Sequence, residues 1–205
     1  MICLFLDTSG DTLIVSLIKD NNIIYNKKVE SIRDHSTYLV NTINEAFKQN
    51  NLDIKSLNKI FVGIGPGSFT GTRIGVTVAK TLAYSLNIDL IPVSTLEEYI
   101  YSTENYDYYV PVIEDKKDKL YFSIFDKNKN RIIDDSYGTL EEFLKYIKKY
   151  DNLVIISDNE YEGYNVHRKE INVLNMINNL IKRESINPHL LKPNYIKRID
   201  AEDKL

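Results

Sequence analysis

The segment Gly63-Ile64-Gly65-Pro66-Gly67-Ser68-Phe69-Thr70-Gly71-Thr72-Arg73-Ile74-Gly75 holds the strongest candidates for chemistry in the chain. Glycines at 63, 65, 67 and 71 allow positive φ or close backbone approach. Ser68, Thr70 and Thr72 are residues that cap a helix start. Between a strand and a helix, such a loop offers a phosphate cradle at a helix N-terminus. The spacing departs from the known cradles. A P-loop requires lysine and then serine or threonine after its last glycine, and Gly71 is followed by Thr72-Arg73, with Pro66 five positions before it. The dinucleotide fingerprint would need glycine at 68 or 70, which are Ser68 and Thr70. Ser68 is not in a nucleophile elbow, because Pro66 and Thr70 flank it at the glycine positions. The reading preferred for Gly65, Pro66, Gly67, Ser68, Phe69, Thr70, Gly71 and Arg73 is a structural turn and interface element. Anion or nucleotide contact is the second.

Asp7-Thr8-Ser9, closing the first apolar run, is the other possible nucleotide or phosphate loop, with Asp7 placed to hold Mg2+-bound water; the plainer reading is a turn residue capping its own loop. An actin-like ATPase also needs a second phosphate loop of Asp-x-Gly-x-Thr type. Val112–Lys117 has no glycine, and Asp158–Gly163 lacks paired glycines for an adenosine. His35 is a candidate general base without a nucleophile placed beside it by sequence. The histidines are His35, His167 and His189, with no metal-ligand spacing among them. Glu97-Glu98 and Glu141-Glu142 open expected helices, where the helix dipole favours carboxylates. The 15 tyrosines form no stacking-platform pattern.

These residues require a scaffold of strands and helices. Residues 2–7, 12–18 and 23–29 are short β-rich runs separated by turn signals, as in an antiparallel meander. Residues 34–49 carry Leu39, Ile43 and Phe47 at i, i+4, i+8, with Val40 and Ala46 beside them, which predicts an amphipathic helix capped by Asp34 or Ser36 and ending at Asn50-Asn51. A strand at 59–64, a helix at 73–86, a strand at 90–94 and a helix at 95–104 complete βββαβαβα. That order predicts a mixed sheet flanked by helices, an RNase H-like lobe. The second half repeats it loosely, with strands at 109–113, 119–126, 130–137 and 153–157 and helices at 139–149 and 171–183. The fold expected is α/β, two RNase H-like lobes of the actin/sugar-kinase type. The expected lobes are 1–104 and a degenerate 105–205, whose tail from Pro188 packs back on a lobe.

The 205 residues, 43% hydrophobic and 27% charged, are an ordinary globular composition long enough for a real core. Apolar runs fall short of the roughly 20 residues of a membrane span, and the first residues do not read as a signal peptide, so a cytoplasmic chain is expected. Cys3 is single and cannot form an internal disulfide. Net charge is −3 with scattered lysines, so no basic stripe exists to grip nucleic acid unaided.

The order Gly65-Pro66-Gly67-Ser68-Phe69-Thr70-Gly71-x-Arg73-Ile74-Gly75, continuing to Ala79-Lys80-x-Leu82-Ala83, resembles the hallmark of the TsaB/YeaZ family. Asp7-Thr8-Ser9, His35-Ser36, Pro92-Val93-Ser94-Thr95-Leu96-Glu97, Asp115-Lys116-Lys117 and Pro193-Asn194-Tyr195-Ile196-Lys197 follow in matching order, with most departures in the second half. The resemblance implies a paralogue of the catalytic subunit TsaD that works on tRNA N6-threonylcarbamoyladenosine. TsaD carries an Asn-His-x-x-x-His segment whose histidines hold a metal, and Thr95 and Tyr99 stand at those positions here. It therefore implies a non-catalytic subunit without metal or cofactor of its own, with ATP possible at the assembled complex. The implied partners are a TsaD-like subunit and a TsaE-like ATPase. tRNA would be reached only through the complex, and the chain would form a homodimer when alone. The interface implied is the first two helices: Leu39, Val40, Ile43 and Phe47, with the small-residue stripe Gly75, Ala79 and Ala83, which would admit a neighbouring helix closely. A small actin-like ATPase or kinase, and the metallopeptidase of the family's older glycoprotease label, are the alternatives weighed.

Overall fold

In a computed structural model of the chain, residues 1–30, 35–116 and 118–196 are described. Asp34 as a cap, Lys117 and Lys197 of the family matches, and the side chains of His35 and Ser36 lie outside the described residues. The chain divides into two compact units, one of Met1–Thr95 with Val173–Asn194 and one of Leu96–Asn172 joined by residues 195–196.

The first unit contains β1 (Ile2–Asp7), β2 (Thr12–Lys19), β3 (Asn22–Glu30), α1 (His35–Gln49), β4 (Lys59–Gly63), α2 (Phe69–Leu86) and β5 (Asp89–Val93). Its sheet has the order β3-β2-β1-β4-β5, antiparallel on the β2 side and parallel on the β4 side. The central strand β1 is buried along its whole length. Leu39, Ile43 and Phe47 of α1 and Val76, Ala79 and Ala83 of α2 join Leu4, Leu6, Val15 and Val62 in one core. Burying each large apolar side chain contributes about 1.5–3 kcal/mol.

The second unit begins in the short helix α3 (Thr95–Tyr99), whose Thr95 still belongs to the first, and continues with β6 (Tyr108–Glu114), β7 (Lys119–Asp126), β8 (Arg131–Thr139), α4 (Leu140–Ile147), β9 (Leu153–Ile156) and β10 (Asn165–His167). Its sheet order, β8-β7-β6-β9-β10, repeats the first with the same strand directions. Thr139 and Glu142 form a reciprocal capping box that starts α4. Where the first unit has α2, between its fourth and fifth strands, the second has only the loop 157–164, so the copy is the poorer one.

Four expectations are corrected. α2 starts at Phe69 rather than 73, because Ser68 caps it and the glycine loop supplies its first turn. α3 ends at Tyr99, not 104. The unit boundary falls at 95/96 rather than 104/105. The last helix, α5 (Val173–Leu180), and the segment after it belong to the first unit, not to a 105–205 lobe. That segment is tied there by Ile186 N to Leu90 O at 2.9 Å, by Lys80 Nζ to Leu191 O at 2.9 Å and by the buried Leu191.

Candidate functional site

β1 ends in a turn that locks itself before it meets anything else. The Asp7 Oδ1 accepts the Ser9 amide at 2.9 Å, and Asp7, Thr8 and Ser9 are all buried. The turn lies directly against the glycine loop. Ser68 N donates to Ser9 O at 2.6 Å, and Thr8 Oγ1 donates to Gly71 O at 2.7 Å. A Cβ at Gly67 or at Gly71 would come closer than 3.0 Å to the carbonyl oxygens of Ser9 and Thr8 respectively. At Gly65, with φ +88°, backbone conformation alone favours glycine. Ser68 Oγ accepts Gly71 N at 3.2 Å, and Ser68 O takes both the amide and the hydroxyl of Thr72. Thr95 closes the joint from a third side, its amide on Gly65 O at 3.0 Å and its hydroxyl 2.7 Å from Ser9 Oγ. Asn194 N reaches Ile64 O at 2.7 Å from a fourth.

The groups that Asp7-Thr8-Ser9 turn toward the glycine loop and the α2 start are carbonyl oxygens and hydroxyls engaged with protein partners. Such a joint fixes four chain segments. Its exposed rim is Gly67–Thr70, where the Arg73 guanidinium lies 3.8 Å over the Phe69 ring. Among the described residues no group of three or more His, Cys, Asp or Glu is placed to hold a metal. Thr95 is buried in the joint, and Tyr99 is half-buried at the end of α3. Glu97 and Glu98, in the first turn of α3 as expected, are buried; Glu97 receives Tyr101 Oη at 3.2 Å and lies 3.6 Å from the Arg131 guanidinium.

The expected interface residues divide. Leu39, Ile43 and Phe47 face the chain's own sheet, and Gly75 is small because a Cβ there would meet Thr8 Oγ1 and Leu6 of β1, so the stripe Gly75, Ala79, Ala83 serves internal packing rather than a foreign helix. Only Val40 points out, 54% exposed. Sequence reasoning missed the outward aromatics Tyr38 and Tyr84, 52% and 65% exposed. Their signal was an aromatic residue off the core stripe of an amphipathic helix. Between α1 and α2 the structure also leaves a groove of about 700 Å3, floored by Ile43, Phe47, Leu52, Val78 and Leu82.

In the second unit a polar cluster closes the strand ends. Glu114, at the end of β6, accepts Ser157 Oγ, Tyr161 Oη at 3.2 Å and Lys169 Nζ at 3.3 Å, and Lys169 also pairs with Asp158 at 3.1 Å. Burial pushes the Glu114 carboxyl up, but the Ser157 bond and the Lys169 charge outweigh it and hold it below its ordinary range. Burial raises the Tyr161 phenol. No motif marked this cluster in the sequence, since Glu114 stands 43 to 55 positions before the Ser157, Tyr161 and Lys169 that it holds.

Residues 21–178 match the family model described as TsaD: tRNA N6-adenosine threonylcarbamoyltransferase. Over 226 aligned residues, covering 100% of this chain and 97% of the relative, the chain is 26% identical to a tRNA threonylcarbamoyladenosine biosynthesis protein TsaB of Bacillus subtilis. It is 34% identical over 79 residues, 37% of the chain and 23% of the relative, to a tRNA N6-adenosine threonylcarbamoyltransferase of Persephonella marina. The fold of YeaZ from Pseudomonas aeruginosa is similar, with a TM-score of 0.73, 17% identity and coverage of 95% of this chain and 99% of that one. A second Pseudomonas aeruginosa structure, of a protein with similarity to peptidase YEAZ, superposes with a TM-score of 0.78 at 16% identity over 96% and 99%. With the duplicated mixed-sheet lobe and the glycine segment in place, the chain belongs to the TsaB/YeaZ family.

Proposed function

We propose that this chain takes part in tRNA threonylcarbamoyladenosine biosynthesis as a non-catalytic subunit that binds a TsaD-like catalytic partner. The product is threonylcarbamoyl transferred to adenosine 37 of tRNAs reading ANN codons. A TsaE-like ATPase and tRNA join through the complex, which is where ATP would belong, and the free chain self-pairs. The observation that carries the reading is the outer face of α1 and α2. Four of the ten exposed large hydrophobics among the described residues, Tyr38, Val40, Phe69 and Tyr84, stand on these two helices, and Val40 lines the apolar groove between them. Concentrated exposed apolar surface marks an interaction site, and a stable interface needs about 800 Å2 per partner. The joint at the glycine loop supports the same reading, because Thr95 and Ser9 are committed to each other.

The test must use exposed residues. Ile43→Glu with Phe47→Glu would bury two charges in the core and unfold the chain. Val40→Glu adds charge to the outer face alone. It is expected to keep native circular dichroism, to stop co-elution with the TsaD-like subunit and to stop tRNA modification by the reconstituted set. Co-elution of the variant with its partner would move the interface elsewhere. Transfer of threonylcarbamoyl by the purified chain alone would overturn the non-catalytic assignment.

A further inference from the structure

The flank of α2 that turns away from α1 is a separate surface with its own chemistry. At about 100° per residue, Phe69, Arg73, Lys80 and Tyr84 fall on one stripe about 60° wide and about 22 Å long. It lies on the opposite side of the helix from Val78 and Leu82, which line the groove. The returning segment of the first unit joins this stripe. Lys80 Nζ donates to Leu191 O at 2.9 Å and to His189 O at 3.5 Å, and the His189 ring meets the Tyr84 ring edge-on with centroids 4.8 Å apart. Phe69, Arg73, Tyr84, His189, Leu190 and Lys192 are all exposed. Arg73, Lys80 and Lys192 bring three positive charges, and neither α2 nor residues 187–194 contains an aspartate or glutamate. Folding alone assembles this surface, because its two segments are far apart in the chain.

We infer that this flank contacts unpaired nucleotides of tRNA in the assembled complex, with Arg73 and Lys192 on phosphates and Tyr84 stacked on a base. Exposed rings interleaved with cations, and no carboxylate among them, match the two halves of a nucleotide. The Arg73 guanidinium is stacked 3.8 Å over the Phe69 ring, and a stacked guanidinium meets phosphate through its in-plane N–H edge. Lys80 is spent on backbone carbonyls, so it adds charge and fixes the returning segment without touching the ligand. An acidic peptide would match the charges but give the Tyr84 ring no base to stack on. So few cations cannot hold tRNA alone, and the contact adds to those of the other subunits. The inference rests on the reading above that tRNA joins through the complex. It adds the surface of this chain that meets the RNA, and leaves the groove side of α1 and α2 to the TsaD-like subunit.

The experiment measures the Kd of unmodified tRNA for the pre-formed complex of the full chain with its TsaD-like subunit, by fluorescence anisotropy between about 50 and about 200 mM KCl. Arg73→Gln with Lys192→Gln should lower the slope of log K against log salt by about 1.4, about 0.7 for each of two lost phosphate contacts. Tyr84→Ala should weaken tRNA binding at least about fivefold, and Tyr84→Phe should keep wild-type affinity, because the ring stacks and the hydroxyl does not. Lys192→Glu, on an exposed residue outside helices and strands, replaces the double variant should that lose native circular dichroism. A wild-type Kd and slope in these variants overturn the inference and leave the partner-binding reading intact. A variant that keeps native circular dichroism but no longer co-elutes with the TsaD-like subunit assigns the flank to that subunit, and also overturns it. Wild-type chain that does not co-elute removes the partner-binding reading, and this inference with it.

Discussion

At Gly71 a methyl group would meet the Thr8 carbonyl, and this contact decides a substitution whose propensity points the other way. Alanine in place of glycine normally strengthens a helix by about 1 kcal/mol. Here the added Cβ would lie closer than 3.0 Å to backbone oxygen on the turn after β1, and Thr8 is held by its own bond to Gly71 O. The expected result is a Gly71→Ala chain less stable by about 1–3 kcal/mol, read from its urea midpoint; a midpoint at or above wild type would show that the two segments separate freely. Glu114 gives a second residue-scale test. Its carboxyl is held below the ordinary range, so the folded chain binds fewer protons there than the unfolded one. The stability this contributes is present above the unfolded carboxylate range and is lost as pH falls through the folded value, which lies below that range. Glu114→Gln should flatten the decline in urea midpoint across that acid window. An unchanged slope would mean that the Ser157 and Lys169 contacts do not govern it.

The elements show which parts of the fold were legible in sequence and which were not. Short apolar runs between turn signals located β1 to β5, of which β1, β2 and β4 are buried on both faces, and a period-3.6 stripe located α1 by its single buried face. The start of α2 was missed, since Phe69–Thr72 lies in a segment whose glycines read as loop, while Ser68 makes it helix. Core and interface on α1 were not separable, because periodicity identifies an apolar face without saying what covers it; Leu39 and Ile43 went to the sheet and Val40, one residue away, to the surface. The turn between β7 and β8 holds a contact no pattern predicts. Lys129 Nζ donates to Ile100 O at 2.8 Å and Thr103 O at 3.2 Å and lies against the Tyr109 ring, which pins the segment after α3. Burial lowers its pKa to about 8, opposed by the Glu104 charge. The unfolded lysine keeps its proton to about 10.4, so the unfolded chain binds more protons between the two values and stability should rise with pH from about 8 to about 10. Lys129→Met should lose that rise in a pH series of denaturation midpoints. A rise retained in the variant would assign it to other groups.

At the scale of the whole molecule the chain order and the packing order differ. The first unit is discontinuous: Met1–Thr95 supplies the sheet, and Val173–Asn194 returns from beyond the second unit to complete it. The returning segment contributes the buried Val173, Met176, Ile177, Leu180 and Leu191 and the hydrogen bonds to Leu90 and Ile64, at the edge strand β5 and at the glycine loop. Without it, that edge and the floor of the loop lose both backbone partners and apolar cover, and each buried leucine or isoleucine lost costs about 2–5 kcal/mol. A domain of this size has about 5–15 kcal/mol in total. A fragment of residues 1–95 should therefore lack cooperative unfolding, and a peptide of residues 173–194 added in trans should restore it, with circular dichroism and urea melts as the readout. The segment 96–172, uninterrupted and carrying its own core of Val110, Phe122, Ile124, Phe143 and Ile155, should melt cooperatively by itself. If residues 1–95 fold alone with wild-type cooperativity, the returning segment is an appendage and the division of the chain into these two units is wrong. If they fold only with the peptide, the glycine loop and the α1–α2 face depend on residues about a hundred positions downstream, and truncations near the C-terminus will abolish partner binding without touching a single residue of the interface.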